Sequence, residues 1–280
     1  MENKKILLAS LELSSVTGQP MYTYNLAKGL VEAGHTVVCV GLHIEGSVTD
    51  MIRELGCVVT SINTNKWKGK YDVAMIGERI PEYLDGIESK HIFNICHSKD
   101  NADEPIIDDR ITRYIAPREQ VSEYWQKKHD IKFDILPIPI DFDKFKAEHK
   151  QSEFYTILAP CSRGDLRKPM LLDLIERSKE PNVQVVMVGN DYGGLKGVQI
   201  PSNVKVYTAT TNLLPFYQVA DEVAGIFIGT ITLEAWAMNI ETSVYDEKGN
   251  WDYVDKPKDL DKHNYKNVTK QFLNLIKYEV

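Results

Sequence analysis

Arg163 and Lys168 follow an apolar run from Tyr155 to Ala159 and are the pair of cations in this sequence best placed to grip an anion. Further along, Gly229-Thr230-Ile231-Thr232-Leu233-Glu234 reads as a glycine-led turn into a helix that begins around Ile231. A guanidinium forks to two oxygens, and a lysine adds a mobile point charge. The start of a helix adds backbone N–H donors, here those of Thr230 to Leu233, and the positive end of its dipole. Cations and a helix start at the ends of strands are two devices for holding one diphosphate. When a bond to a diphosphate breaks, negative charge builds on the bridging oxygen, and fixed donors aimed there lower the barrier. Glu234, one turn into the helix, can accept from both ribose hydroxyls of a nucleotide. Gly18 suits a loop that must approach a phosphate or sugar closely. Glu78 and Arg79, after a strand at Asp72 to Ile76, are placed to face a second substrate. Each of these residues also admits a plainer role: a solvated basic turn, an ordinary turn glycine, or a glutamate favoured by a helix dipole.

Two D-x-D strings, Asp141-x-Asp143 and Asp259-x-Asp261, lie in a connector and in a polar tail loop. Neither follows a buried strand, so no metal site is expected. The sequence has no H-x-x-x-H, no G-x-x-x-x-G-K-[ST] and no G-x-S-x-G.

The elements that must position these groups come from an apolar fraction of 43% in 280 residues, enough for one large core or two ordinary ones. A net charge of −7 argues against broad adhesion to nucleic acid, which runs on clustered lysine and arginine. Cys39, Cys57, Cys96 and Cys161 are scattered and read as reduced, buried thiols. No apolar run approaches the roughly 20 residues of a membrane helix. Ile6 to Ala9 reads as a first strand, since Glu12 interrupts any signal-like stretch too early. A cytoplasmic protein is expected.

Short apolar runs alternate with helical patterns along the first 140 residues. Strands are expected at Lys5–Ser10, Thr36–Gly41, Val58–Ile62, Asp72–Ile76, His91–Cys96, Tyr114–Ala116 and Phe133–Leu136. Helices are expected at Met21 to Gly34, Asp50–Leu55 and about Pro117–Lys128, the first closed by the glycine at 34. Leu136-Pro-Ile-Pro-Ile-Asp141 holds the backbone extended and suits an interdomain connector. The alternation then restarts, with strands at Tyr155–Ala159, Val183–Val188, Val204–Tyr207, Val223–Ile228 and Thr242–Tyr245. Helices are expected at Pro169–Arg177, Leu213–Val219 and 231–238. Val268, Phe272, Leu275 and Ile276 mark an amphipathic terminal helix. The expected organisation is α/β, with two Rossmann-like domains at 1–140 and 141–280 facing across a cleft, the terminal helix in the second.

Several of these segments together resemble a GT-B glycosyltransferase, of the large retaining family 4 type. Gly18 with Leu30-Val-Glu-Ala-Gly34-His35-Thr-Val resembles that family's glycine loop and its "GHxV" helix end. Leu136-Pro-Ile-Pro-Ile-Asp141-Phe-Asp-Lys-Phe145 resembles the linker "IPNGVDxxxF". Arg163 and Lys168 match the spacing of "GR-x-x-x-x-KG", Val188-Gly189-Asn190 stands where "VGxG" does, and Gly229 to Ala237 resembles "GLTLLEAMA". The resemblance spans roughly residues 4 to 246. It departs at Ile226, where the family has a glutamate eight positions before the one matched by Glu234, and at Pro169, where it has glycine.

The resemblance implies transfer of a sugar from a nucleotide-diphosphate donor to a hydroxyl acceptor, with retention at the anomeric carbon and no cofactor. Arg163 and Lys168 would stabilise the departing diphosphate, His97 would position the sugar, and Gly18 and Gly229 to Glu234 would bind the donor. Compact relatives of this fold in phages glycosylate modified DNA bases. The segment Lys66-Trp67-Lys68-Gly69-Lys70 offers a tryptophan among lysines for such an acceptor, although nucleic acid is not the favoured one. Ile226 keeps open a further alternative, a non-catalytic nucleotide-sugar or glycan-binding protein.

Overall fold

The structure, a computed structural model, describes residues 2–161, 167–190, 195–246 and 248–277. The chain divides into two compact units, Met1–Pro139 with Asp261–Val280, and Ile140–Leu260.

The first unit opens with β1 (Lys5–Ala9), α1 (Gly18–Glu32), β2 (Thr36–Gly41), α2 (Ser47–Glu54) and β3 (Val58–Ser61). β4 (Gly69–Lys70), β5 (Val73–Gly77), β6 (Ile87–Glu88) and β7 (Ile92–Ile95) follow. β8 (Arg113–Ala116), α3 (Glu119–His129) and β9 (Phe133–Ile135) complete the series. Seven strands form one sheet in the order β3-β2-β1-β5-β7-β8-β9, every pair parallel, while β4 pairs with β6 alone. The central strands β1, β2 and β5 are near-continuous apolar runs because a parallel sheet is covered on both faces. Leu7, Val38, Val40, Ala74 and Ile76 share one core cluster with Trp67, Tyr71 and Tyr83.

Helix α1 begins at Gly18, three residues ahead of expectation, so this glycine is the first helical residue rather than part of a free loop. The helix stops before Gly34, whose φ of 87° is the left-handed conformation glycine adopts at low cost at a helix end.

The second unit contains β10 (Tyr155–Cys161), α4 (Lys168–Arg177), β11 (Val183–Gly189), β12 (Val204–Tyr207) and α5 (Leu214–Tyr217). It ends with β13 (Glu222–Ile226), α6 (Thr230–Ala237), β14 (Glu241–Tyr245) and β15 (Trp251–Tyr253). Its sheet runs β12-β11-β10-β13-β14-β15, parallel except for the antiparallel edge strand β15. Alternate residues of β10 and β11 serve opposite faces: Ile157, Ala159, Val185 and Met187 pack in one cluster, Leu158, Val186 and Val188 in the other. The expected strand to Ile228 ends at Ile226 instead, because Phe227 turns into the left-handed region with φ 61°.

The base of this sheet is tied by one carboxylate. Glu222, fully buried at the start of β13, accepts both terminal nitrogens of Arg177 at 2.8 and 2.6 Å. It also accepts the hydroxyls of Ser243 at 2.5 Å, Tyr155 at 3.1 Å and Tyr253 at 3.2 Å. Donors from β10, α4, β14 and β15 thus converge on one side chain.

The terminal helix α7 (Tyr265–Leu275) belongs to the first unit, a correction to its expected place in a 141–280 domain. Its apolar stripe is buried against α1, where Gly29 leaves room for it. A Cβ at position 29 would lie 2.0 Å from Thr269 Oγ1 and 3.2 Å from the Tyr265 ring. That hydroxyl is itself held, donating to the Tyr265 carbonyl at 2.7 Å. Gly29→Ala is therefore expected to destabilise the protein by about 1–2 kcal/mol, the overpacking strain exceeding the gain of about 1 kcal/mol in helix propensity. Urea unfolding reads this directly, and a more stable variant would show that α7 does not dock here.

Candidate functional site

Ligands of open α/β sheets bind beyond the carboxyl ends of the strands, where the strand order reverses. In the second unit that point lies between β10 and β13, and α4 and α6 start beside it.

Lys168 is the first residue of α4 and is exposed; Arg167 caps the helix and donates to the Pro160 carbonyl at 3.4 Å. No acidic residue stands in the first turn of α4 or of α6. Arg167 and Lys168 stand at the positive end of this helix dipole, where an anion is favoured; Asp165, two positions before Arg167, lies outside the described residues. Arg163, the other cation of the pair, lies outside the described residues.

Gly229 is the N-cap of α6, and its N–H donates to Thr232 Oγ1 at 2.7 Å, which fixes the entry into the helix. A Cβ at Gly229 would meet nothing within 4 Å, so the approach to this helix start is open. The amides of Thr230, Ile231 and Thr232 occupy the first turn, where a helix supplies no acceptor of its own. The Leu233 N–H differs from expectation: it donates to the Gly229 carbonyl at 3.1 Å and is spent inside the helix.

Glu234 is only 6% exposed, with Oε2 accepting the Tyr217 hydroxyl at 2.8 Å. Burial pushes its carboxyl up to about 7, against the opposing effects of that hydrogen bond and of Lys144. The side chain expected to meet a ribose therefore already has an internal donor.

In the first unit the strand order reverses between β1 and β5. Glu78 follows β5 with φ 56°, a left-handed conformation uncommon outside glycine, asparagine and aspartate. Its Oε2 accepts the Leu11 amide at 2.5 Å and the Ser10 hydroxyl at 3.2 Å, which ties β5 to the loop ahead of α1. Gln19 Nε2 donates to the same Ser10 hydroxyl at 3.2 Å. Gly18, at the start of α1, lies next to this knot.

His97 follows β7 and packs edge-on against Tyr22, ring centroids 4.9 Å apart. Burial lowers its imidazole pKa, Arg118 adding to the shift and Asp103 opposing it, so the ring is neutral at physiological pH. The Arg118 guanidinium donates to the His97 carbonyl at 3.4 Å, and Asp103 accepts the Ser98 hydroxyl at 2.5 Å. Arg167, Gln19 and Asp103 carry no motif and escaped the sequence reading. The position of Arg167 beside Lys168 was the one available signal among them.

Burial pushes the Glu78 carboxyl up to about 7 from about 4.5, its hydrogen bonds to Leu11, Gln19 and Ser10 opposing and the charge of Asp103 reinforcing the shift. A raised carboxyl binds its proton more tightly in the folded chain than in the unfolded one. Its stabilising contribution is therefore full below about pH 4.5 and is lost as pH rises to about 7. A shift of this size corresponds to roughly 3 kcal/mol. Glu78→Gln is expected to flatten the decline in urea stability between pH 5 and pH 7.5, and an unaltered slope would contradict the burial argument.

The tryptophan among lysines is not a stacking platform. Trp67 is 2% exposed, packs edge-on against Tyr83 and donates its indole N–H to the Ile62 carbonyl at 3.1 Å. Asp141 is buried, and Asp143 pairs with Lys146 at 2.5 Å. Among the described residues, no three His, Cys, Asp or Glu side chains gather as cation ligands. No helix among them is long and apolar enough to cross a membrane.

The fold, two Rossmann-like domains, is that of GT-B proteins, as comparison with solved structures shows. The chain is similar to Anabaena HepE in complex with UDP-glucose, at TM-score 0.66 and 10% identity over 98% of this chain and 89% of that one. It is also similar to a glycosyltransferase from Rickettsia africae, at TM-score 0.64 and 12% identity over 99% and 89% of the two chains. An alpha-glucosyltransferase in complex with UDP and a 13-mer DNA containing an HMU base gives TM-score 0.61 and 11% identity over 87% and 80%. No family model and no curated protein matches the sequence. At these identities the likeness carries the fold and not the chemistry.

Proposed function

We propose that this protein is a retaining glycosyltransferase that moves a sugar from a nucleotide-diphosphate donor to a hydroxyl acceptor without a metal ion. One observation carries the reading: two helices whose first turns hold no acidic residue, one starting at Lys168 with Arg167 before it, flank the switch point of the second sheet. Four of the similar solved structures, three of them of HepE, hold UDP or UDP-glucose, which agrees with a nucleotide diphosphate as the anion.

In the proposed reaction the bond between the anomeric carbon and the diphosphate oxygen breaks. The acceptor oxygen bonds to that carbon on the same face, and the acceptor proton passes to the departing phosphate. The Thr230 to Thr232 amides, Lys168 and Arg163 stabilise the negative charge left on the diphosphate, the role a metal would otherwise fill. A glycan, lipid-linked or small-molecule acceptor is favoured over DNA, because Trp67 is buried and unable to stack on a base.

Incubation with a panel of nucleotide sugars, with and without hydroxyl acceptors and with EDTA present, tests the proposal through released nucleoside diphosphate. Release that persists in EDTA supports it. Binding without any release across the panel would favour the non-catalytic alternative that Ile226 keeps open.

A further inference from the structure

Cys39 and Cys57 meet on one face of the first sheet. β2 and β3 pair in parallel with Val38 opposite Val58 and Cys39 opposite Val59. Cys57 stands two residues before Val59 and so shares the Cys39 face, the one turned away from the Trp67 cluster that takes Val38 and Val40. Both are free thiols, Cys39 fully buried and Cys57 7% exposed, and β3 is an edge strand, so the pair lies toward the rim of the sheet. The two side chains are hydrogen-bonded to each other, and the contact makes them unlike. It raises the Cys39 thiol, with burial adding, and lowers the Cys57 thiol, with burial opposing. Cys39 is the donor and keeps its proton, while Cys57 ionises more readily.

In dithiol oxidation the thiolate is the attacking group and its neighbour the resolving one. Cys57 also has room to move. It precedes the first residue of β3 and follows Gly56, which has a φ of 85° and open space where a Cβ would stand. A two-residue diagonal step on a sheet separates Cα atoms by about 8 Å, beyond the roughly 7 Å limit of a disulfide, so closing the bond draws Cys57 toward β2 through this turn.

We propose that Cys39 and Cys57 form a reversible redox site that a hydroperoxide converts to a disulfide. The Cys57 thiolate attacks one peroxide oxygen and the O–O bond breaks, leaving a sulfenic acid and a hydroxide that takes up the proton Cys57 had released. The Cys39 sulfur then attacks the sulfenic sulfur. The S–S bond forms, the S–O bond breaks, and the hydroxide leaves as water with the Cys39 proton. Two thiols lose two electrons, and one hydrogen peroxide becomes two waters. A small thiol reverses the step by exchange. The bond encloses α2, whose Thr49 hydroxyl donates to the Leu13 carbonyl at 2.9 Å, so the crosslinked segment packs on the loop ahead of α1.

The test treats the reduced full-length protein with hydrogen peroxide, weighs it intact, then blocks remaining thiols with iodoacetamide and maps tryptic peptides by mass spectrometry. Cleavage after Arg53 separates the pair, placing Cys39 in 29–53 and Cys57 in 54–66. The expected result is an intact mass lower by two hydrogens and peptide 29–53 joined to 54–66, the link being removed by dithiothreitol. Cys39→Ala is expected to arrest Cys57 as a sulfenic acid that dimedone traps, and Cys57→Ser to leave Cys39 reduced. A link through Cys96 or Cys161, oxidation of Cys57 beyond the sulfenic state with no link, or thiols all unmodified after treatment would overturn the proposal. So would oxidation of Cys39 in Cys57→Ser. The wild-type peptide map decides the matter even if a variant does not fold.

Discussion

Replacing Lys168 with alanine is expected to lower turnover of a nucleotide sugar by about 100-fold, the usual effect of removing one fixed donor from a developing oxyanion. The side chain is exposed at the first position of α4, so its loss removes charge without opening a cavity. Thermal stability should be unchanged or slightly improved, because a cation at the positive end of a helix dipole is locally unfavourable. That pairing of lost turnover with kept stability separates a functional lysine from a solvated one. Arginine at position 168 should restore part of the activity, since the charge is retained while its geometry changes. Wild-type turnover in Lys168→Ala would exclude this helix start from the chemistry.

Glu222→Ala is expected to have the largest effect on stability. Its carboxylate is fully buried and faces Arg177, whose side chain is 14% exposed. Removing the acid leaves a nearly buried guanidinium and the hydroxyls of Tyr155, Ser243 and Tyr253 without their shared acceptor. Breaking one half of a buried pair typically costs about 3–5 kcal/mol. Glu222→Gln keeps an acceptor oxygen and should lose less. The effect should extend to the ligand site, because β13 carries Glu222 at one end and the Ile226–Gly229 turn at the other. Denaturant unfolding gives the comparison, and a loss below about 1 kcal/mol would show the network to be dispensable.

The sequence makes the two parallel sheets legible because runs such as Ile6–Ala9 and Val185–Val188 are apolar on successive residues, as strands covered on both faces must be. Lys168 at a helix start was legible too, since Pro169 marks the first turn of a helix. The destination of α7 was not: an amphipathic stripe states that a face is buried, and only Gly29, more than 230 residues earlier, identifies against what. Trp67 misled for a related reason. Flanking lysines suggest exposure, yet their charged ends reach water while the indole between them enters the core. Glu78, Glu222 and Glu234 look alike in the sequence. Their different surroundings arise from partners far along the chain, such as Leu11, Arg177 and Tyr217.

The start of α6 and the start of α4 are expected to hold a nucleoside diphosphate together. Backbone amide chemical shifts, followed while UDP and then uridine are titrated into the protein, report such binding residue by residue. Large shifts are expected at Thr230, Ile231 and Thr232 and at the first turn of α4 with UDP. No comparable shifts are expected with uridine, which lacks the phosphates, and a weakened response is expected in Lys168→Ala. Saturating UDP that perturbs other amides while leaving Thr230 to Thr232 unmoved would contradict it.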